Sequence, residues 1–274
     1  MNAPRAAVIR FPGVNCEEET RRAVEASGGA CDIVMWNDAR EVLEGYDGYV
    51  LPGGFSYQDR VRAGAIAAKD AVVQLLVAAA EAGKPVLGIY NGAQVLLESG
   101  LVPGCEPGRV EMALATNVMP DRDGYHARWC HLRVAAAGSC ATLGVGEGDV
   151  LPIPVAHAEG RFVSRTDGLF ETLAREGQIV MTYATSDGGN PDGFPSNPNG
   201  SRENVAAVSN PPGNVVAMMP HPERAARLGQ VPTVLEGPWG ARRRDAGAEA
   251  FDDPGPGSAV FDGFVASCRK GAVR

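Results

Sequence analysis

Short apolar runs alternate with amphipathic stretches through the first hundred residues of this 274-residue chain. The amphipathic stretches predict one helix from about Glu17 to Ala26 and a longer helix that ends near Ala82. The apolar runs have the length and residue types of buried β-strands, and they are AAVIRF (6–11), CDIVMW (31–36), GYVLPG (48–53) and VLGI (86–89). Because strands that alternate with helices build parallel sheets, we expect an α/β fold with a mostly parallel, doubly wound sheet flanked by helices.

The second half of the chain has a different pattern, in which β-like runs follow one another with turn residues between them. These runs are ARWCHLRV (127–134), VLPIPVAHAEGRFV (150–163), QIVMTY (178–183), NVAAVS (204–209) and NVVAMM (214–219). We expect them to complete and flank the sheet. Residues 225–258 are rich in Gly, Pro and charge, which predicts an exposed excursion before a short helix near Phe261 to Cys268. We therefore expect residues 1–228 to form one domain and residues 229–274 to be an extended segment packed on it.

Composition excludes several classes of function. The net charge of −8 argues against a protein that binds the phosphate backbone of nucleic acids. No run approaches the roughly 20 consecutive apolar residues of a membrane span, and the N-terminus enters a β-like run without the apolar core of a signal peptide. We therefore expect a cytoplasmic protein without a membrane partner.

The six cysteines show neither CxxC pairing nor the spacing of metal ligands. We expect free thiols and no metal site. The three consecutive arginines at 242–244 are typical of a solvated face, and a contact with a phosphate or a partner is the alternative.

The string VLGIYNGAQVLLESG (86–100) predicts a strand, a sharp turn flanked by glycines and then a helix. Such an elbow holds one side chain at the top of a sheet, beside N–H groups that stabilise developing negative charge. Tyr90 stands at its apex. Taken alone, the pattern also fits an ordinary tight loop between a strand and a helix.

Two further strings carry candidate chemistry. In MMPHPER (218–224), the spacing of His221 and Glu223 suits a base and the carboxylate that orients it, although a loop with a capped histidine has the same pattern. In LPGGFSYQDRVRAGAIAA (51–68), Gly53 and Gly54 allow the backbone to approach a ligand closely. A glycine-rich strand end is the alternative interpretation.

Taken together and in this chain order, the three strings resemble the class I glutamine amidotransferases, whose catalytic triad is Cys, His and Glu. Further strings make the chain similar to one branch, the glutaminase subunits of phosphoribosylformylglycinamidine synthase. They are FPGVNCEEET (11–20), LESGLVPG (97–104), IPVAHAEGRF (153–162), NPNGS (197–201) and VAAVSNPPGNVVAMMPHPER (205–224). The resemblance covers roughly residues 5–228.

The resemblance implies a role for each matched residue. His221 would be the base, Glu223 its orienter, and residue 90 the nucleophile, which in the family is a cysteine whose thiolate attacks the glutamine amide. The oxyanion-hole and glutamine-binding positions would be Gly53, Gly54, Phe55, Asn91 and Gln94. In the family, the released ammonia passes to a synthetase subunit in a complex with a small helper subunit. ATP and magnesium belong to that synthetase subunit, so no cofactor is expected in this chain.

Tyr90 departs from the family at its nucleophile. A tyrosine with a pKa near 10 is only about 0.1% ionised at pH 7, and its ring would enter the space meant for glutamine. Ala93 and Gln58 replace the family's usual Phe and Gly, which suggests local repacking around the larger residue. Cys16 is an alternative nucleophile, but the family has a cysteine there as well, so a structural role is favoured.

Three functions follow for a chain with this substitution. The first is a synthase subunit whose own hydrolysis of glutamine is in doubt. The second is a catalytically silent structural or regulatory subunit of an ammonia-dependent synthase. The third is an amidotransferase-like protein of a specialised pathway.

Overall fold

A nine-stranded sheet forms the centre of the molecule in a computed structural model that describes residues 3–271. A separate pair of strands, β5 and β8, lies beside it. The strands are β1 Arg5–Arg10, β2 Ala30–Met35, β3 Gly48–Leu51, β4 Val86–Ile89, β5 Ala113–Thr116, β6 His126–Val134, β7 Val150–His157, β8 Glu159–Val163, β9 Ile179–Ala184, β10 Val205–Ser209 and β11 Val215–Met218. The helices are α1 Glu17–Ala26, α2 Arg40–Glu44, α3 Ala71–Glu81, α4 Asn91–Glu98, α5 Leu169–Arg175, α6 Pro238–Asp245 and α7 Ser258–Gly271.

The order of the strands joins the two halves of the chain in one sheet. It runs β2-β1-β3-β4-β11-β10-β9-β6-β7. The first five strands are parallel, and β11 pairs directly with β4, with Val215 opposite Val86. The remaining four are added by antiparallel pairing. The predicted α/β fold is confirmed, and the second half of the chain completes the sheet as expected.

The central strands are apolar throughout because both faces of the sheet are covered. Every residue of β3, β4 and β11 is buried. The predicted bounds of the helix Glu17–Ala26 and of the strand VLGI agree with α1 and β4. The carboxyl ends of β1, β3, β4 and β11 meet at one edge of the sheet, which is where open α/β sheets place their functional sites.

The run 150–163 does not form one continuous β segment as predicted. It divides at Ala158 into β7, which pairs with β6, and β8, which pairs with β5 in the smaller sheet. Gly160 packs tightly against the preceding strand, since a Cβ atom there would lie 2.2 Å from His157 Cε1. The chain therefore changes sheets at a point where a side chain has no room.

The C-terminal segment is more ordered than the sequence predicted. The terminal helix α7 has 14 residues and extends beyond the predicted Phe261 to Cys268 at both ends, and it contacts α1 and β1. Its Phe261 and Phe264 are fully buried. The division into domains at residue 228 stays a prediction.

The expectation of an exposed excursion over 225–258 is wrong in part. This segment contains α6, and its Ala225, Leu228 and Val231 are buried. The three consecutive arginines make contacts within this segment. Arg242 lies over the ring of Trp239, and Arg243 lies over the ring of Phe251. Arg244 Nη1 donates to the carbonyls of Thr233 and Leu235. Within residues 3–271, no helix has the length and apolar character needed to cross a membrane.

Candidate active site

A strained turn between β4 and α4 holds Tyr90 at the carboxyl edge of the sheet. Tyr90 has φ 51° and ψ −105°, a left-handed backbone conformation that L-residues rarely adopt. The glycines on either side permit the turn, because a Cβ atom at Gly92 would lie 2.0 Å from the carbonyl oxygen of Leu51 and one at Gly88 would lie 2.7 Å from the backbone of Gly92. Strain at a residue other than glycine distinguishes this elbow from an ordinary tight loop.

His221 and Glu223 form a buried pair beside the elbow. Their Nδ1 and Oε1 atoms are 2.5 Å apart, and each residue is about 1% exposed. The backbone N–H of His221 donates to the carbonyl of Pro154, which fixes the loop after β11 against β7. Within the described part of the chain, neither Nε2 of His221 nor Oε2 of Glu223 has a hydrogen-bond partner. This geometry suits a carboxylate that orients an imidazole and leaves Nε2 free to act as a base, and these roles of Glu223 and His221 stay predictions.

The side chain of Tyr90 is enclosed by aromatic rings. Its ring centroid lies 5.1 Å from that of His221, 5.9 Å from that of Phe55 and 6.3 Å from that of His157. The rings of Tyr90 and His157 are nearly parallel, whereas Phe55 meets Tyr90 edge-on. Only 5% of Tyr90 is exposed. Burial raises the pKa of its hydroxyl well above the usual value, and the carboxylate of Asp59 raises it further. Tyr90 is therefore a neutral phenol at physiological pH.

Gly53 and Gly54 bring the end of β3 against the loop that follows β1. The carbonyl of Gly53 accepts hydrogen bonds from the N–H groups of Asn15 and Cys16, each at 3.2 Å. At Gly54, with φ 147°, a Cβ atom would lie 2.3 Å from Val14 Cα. The N–H of Phe55 donates to Gly13 at 2.9 Å, so its backbone donor is already used, and its ring contacts Tyr90.

Asn91 and Gln94 lie on the first turn of α4, where the leading N–H groups have no partner inside the helix. Asn91 Nδ2 donates to Gln94 Oε1 at 2.9 Å, and Asn91 Oδ1 accepts from the N–H of Ser56 at 3.1 Å. Gln94 Nε2 donates to the carbonyl of Glu159 at 2.9 Å. These bonds fix both amides, and their roles in an oxyanion hole and in glutamine binding stay predictions.

His157 is a site residue that the sequence analysis did not single out. Its Nδ1 lies 3.2 Å from Asn117 Oδ1, while Asn117 Nδ2 donates to the carbonyls of His157 and Gly124. The amide of Asn117 therefore lies against Nδ1 of His157, with Nδ2 at 3.0 Å and Oδ1 at 3.2 Å. Burial, together with the nearby His221, lowers the pKa of His157 to about 3. The string AHAEGR, used above only for the family resemblance, was the available signal.

Cys16 is buried against the loop that carries His221 and Arg224. Its side chain is fully buried, and its Sγ accepts a hydrogen bond from Arg224 Nη2 at 3.1 Å. Burial raises the pKa of this thiol to about 12, and the carboxylate of Glu223 also raises it. These features favour the structural role over that of a substitute nucleophile.

The two neighbouring substitutions differ in their placement. Ala93 is fully buried, as a residue that makes room for Tyr90 would be. Gln58 is exposed and accepts a hydrogen bond from Arg60, so its side chain is not part of the packing around Tyr90 and the prediction for it is wrong. Its φ of 60° is instead a backbone conformation that favours glycine.

Comparison with known proteins gives one family and close relatives within it. The model of the CobB/CobQ-like glutamine amidotransferase domain matches residues 3–253. The chain is 48% identical over 235 residues to the phosphoribosylformylglycinamidine synthase subunit PurQ of Methanothrix thermoacetophila, covering 83% of this chain and 89% of the relative. It is 40% identical over 220 residues to the PurQ subunit of Pyrococcus furiosus, covering 80% and 88%. The solved structure of PurLQS from Thermotoga maritima matches with a TM-score of 0.70 and 31% identity over 96% of this chain and 98% of that chain.

Proposed function

The chain belongs to the CobB/CobQ-like glutamine amidotransferase domain family, and we propose that it is the amidotransferase subunit of a phosphoribosylformylglycinamidine synthase in purine biosynthesis. Relatives that carry this subunit name are 40% and 48% identical to it over at least 80% of its length. The resemblance to a chain of PurLQS supports a synthetase subunit as its partner. We propose a small helper subunit as the third member of the complex. In this proposal ATP and magnesium are bound by the synthetase subunit, and this chain holds no cofactor.

We further propose that the chain does not hydrolyse glutamine itself, because Tyr90 stands where the family has its cysteine. A cysteine at this apex would attack the amide carbon of glutamine, and Nε2 of His221 would take the thiol proton and pass it to the departing ammonia. The neutral phenol of Tyr90 supplies no comparable nucleophile. Loss of the nucleophile from a triad costs on the order of 10⁶ in turnover.

One observation carries this proposal: an oriented His221–Glu223 pair remains beside a buried tyrosine. The imidazole and the ring of Tyr90 are 5.1 Å apart, and the other neighbours of that ring are Phe55 and His157. The phenol ring thus occupies the position from which a nucleophile would face a bound amide. The site keeps its base and its orienting carboxylate, but glutamine binding and attack are both blocked.

The test is amide transfer by the complex of this chain with its synthetase subunit. We expect turnover with ammonium and none with glutamine, and the synthetase subunit alone serves as the control for ammonium use. Glutamine-dependent turnover comparable to that with ammonium would refute the block at Tyr90. Failure of the two subunits to associate, measured by size-exclusion chromatography, would refute the assignment as a synthase subunit.

A further inference from the structure

A thiol, an imidazole and a carboxylate lie close together in the buried part of the candidate active site. One donor atom from each of Cys16, His221 and Glu223 lies within 4.8 Å of the other two. Cys16 immediately precedes α1, whereas His221 and Glu223 belong to the loop after β11. All three residues are buried, so their donor atoms are shielded from competing water.

Gly53 packs directly against this cluster, and a side chain there would press against Cys16 and His221. A Cβ atom at Gly53 would lie 3.3 Å from Cys16 Sγ and 3.3 Å from His221 Nδ1. The same imidazole nitrogen is 2.5 Å from Glu223 Oε1. Nδ1 is therefore the ring nitrogen that faces Glu223, and it lies on the side of the ring that packs against Gly53. Glu223 also has a second buried oxygen, Oε2, without a hydrogen-bond partner among residues 3–271.

We propose that Cys16, His221 and Glu223 form a binding site for Zn²⁺ or a similar borderline-soft divalent cation, with His221 bound through Nδ1. Thiolate, imidazole and carboxylate are the three ligand types that zinc takes from proteins, at about 2.3 Å for sulfur and about 2.0 to 2.2 Å for nitrogen and oxygen. Tetrahedral bonding at these lengths brings the donor atoms to about 3.5 Å from one another, which requires shifts on the order of 1 Å. Three protein ligands leave a fourth position free.

The charges of the site balance when the cation binds. The thiol of Cys16 loses its proton to solvent as the sulfur–metal bond forms, and the thiolate and the carboxylate then neutralise the two positive charges. Arg224 Nη2 already donates to Cys16 Sγ at 3.1 Å, and a metal-bound thiolate can still accept this bond from outside the coordination sphere. The guanidinium lies 4.0 Å from Glu223 Oε1 and is 41% exposed, which gives it room to turn toward solvent.

Binding of the cation and action of His221 as a base exclude each other. Once Nδ1 gives its lone pair to the metal, Nε2 carries the remaining hydrogen of a neutral imidazole and has no lone pair with which to accept a proton. The hydrogen bond between Nδ1 and Glu223 is lost at the same time. The three side chains can therefore adopt either of two states. In one, His221 and Glu223 form a hydrogen-bonded pair beside the thiol of Cys16; in the other, all three side chains bind the metal.

The test is equilibrium dialysis of the chelator-treated full chain against Zn²⁺, followed by metal analysis. We expect about one zinc per chain, lost in Cys16→Ala and in Glu223→Gln and retained in Cys105→Ala, which removes an exposed thiol. Circular dichroism checks that each variant is folded.

Substitution of Co²⁺ for zinc gives a second readout that needs no variant. A thiolate ligand produces a sulfur-to-cobalt charge-transfer absorption in the near ultraviolet, which we expect in the unsubstituted chain. Failure of the chain to retain zinc, or a cobalt complex without the sulfur band, overturns the proposal. Zinc retained by folded Cys16→Ala shows binding by other side chains and also overturns it. None of these results bears on the amide-transfer assay, so the two proposals fail separately.

Discussion

At the scale of single residues, the candidate site combines the backbone geometry of a nucleophile elbow with a tyrosine side chain at its apex. The backbone of Tyr90 keeps the strained φ of 51°, and the His221–Glu223 pair beside it is intact in its geometry. A strained conformation persists only where the surrounding structure determines it. Here Gly88 packs closely against α4, and Gly92 packs closely against β3. The packing of these two glycines therefore holds the elbow in its strained conformation.

Replacing Tyr90 with cysteine should accordingly restore a nucleophile. We expect Tyr90→Cys to release ammonia from glutamine in the complex, because a thiol with a pKa near 8.5 is a few per cent ionised at pH 7 and lies beside Nε2 of His221. A glutamine-like electrophile should label position 90, as read by mass spectrometry. Tyr125→Cys, at an exposed position, is the matched control and should gain a reactive thiol without glutaminase activity. A silent Tyr90→Cys would mean that more than the nucleophile has been lost.

His157 makes folding sensitive to acid. Its folded-state pKa is lowered to about 3 from 6.5, so between these values the unfolded chain binds a proton that the folded chain does not. Stability therefore falls as the pH drops below about 6.5, and His157 contributes a loss of about 2 kcal/mol between pH 7 and pH 5. Urea denaturation at the two pH values should show a smaller pH-dependent loss in His157→Gln by about this amount. His131→Gln removes a partly buried histidine whose pKa burial also lowers, and we expect a smaller reduction there. An unchanged pH-dependent loss in folded His157→Gln would contradict this assignment.

At the scale of elements, the sequence predicted what depends on local pattern and missed what depends on tertiary contact. The bounds of α1 and β4 follow from amphipathic and apolar periods and were predicted correctly. Helix α6 was missed because its arginines lie over aromatic rings or bind backbone carbonyls from elsewhere in the same segment, which no periodicity reveals. The division of the run 150–163 was missed for a similar reason, since each part pairs with a strand distant in sequence.

The same distinction applies to the candidate site. Tyr90 and the His221–Glu223 spacing are visible in short strings, and the structure places them together. His157 carries no local signal of its own, because its importance comes from the stacking on Tyr90 and the amide of Asn117, 40 residues earlier in the chain. A residue such as His157, whose partners are distant in sequence, can be recognised as part of the site only from the folded structure.

The contact between α4 and β3 should tolerate no side chain at position 92. We expect Gly92→Ala to lower the free energy of unfolding by about 1 to 3 kcal/mol or more, because the added Cβ would lie 2.0 Å from the carbonyl oxygen of Leu51 and force the two elements apart. Gly45→Ala is the control, since its Cβ would meet its nearest atom at 3.6 Å with φ −76°. Equal unfolding free energies for the two variants would show that α4 can shift without cost.

At the scale of the whole molecule, the two ends of the chain depend on each other. The N-terminal strand β1 lies inside the sheet between β2 and β3, and the C-terminal helix α7 covers it together with α1. The insertion of β11 beside β4 likewise joins the second half of the chain to the first. Few parts of such a structure can unfold alone, because each half completes the sheet of the other.

Removing one buried ring from α7 should therefore destabilise the entire fold. Phe264 is fully buried, and a Cβ atom at Gly48 of β3 would lie 3.1 Å from its ring. We expect Phe264→Ala to lower the free energy of unfolding by about 3 to 5 kcal/mol in a single cooperative urea transition, followed by tryptophan fluorescence and by circular dichroism. Val234→Ala, 87% exposed in the same C-terminal segment, should leave the transition unchanged. A separate early transition in Phe264→Ala would show that residues 229–274 form an independent unit, because the sheet would then keep its stability without the helix.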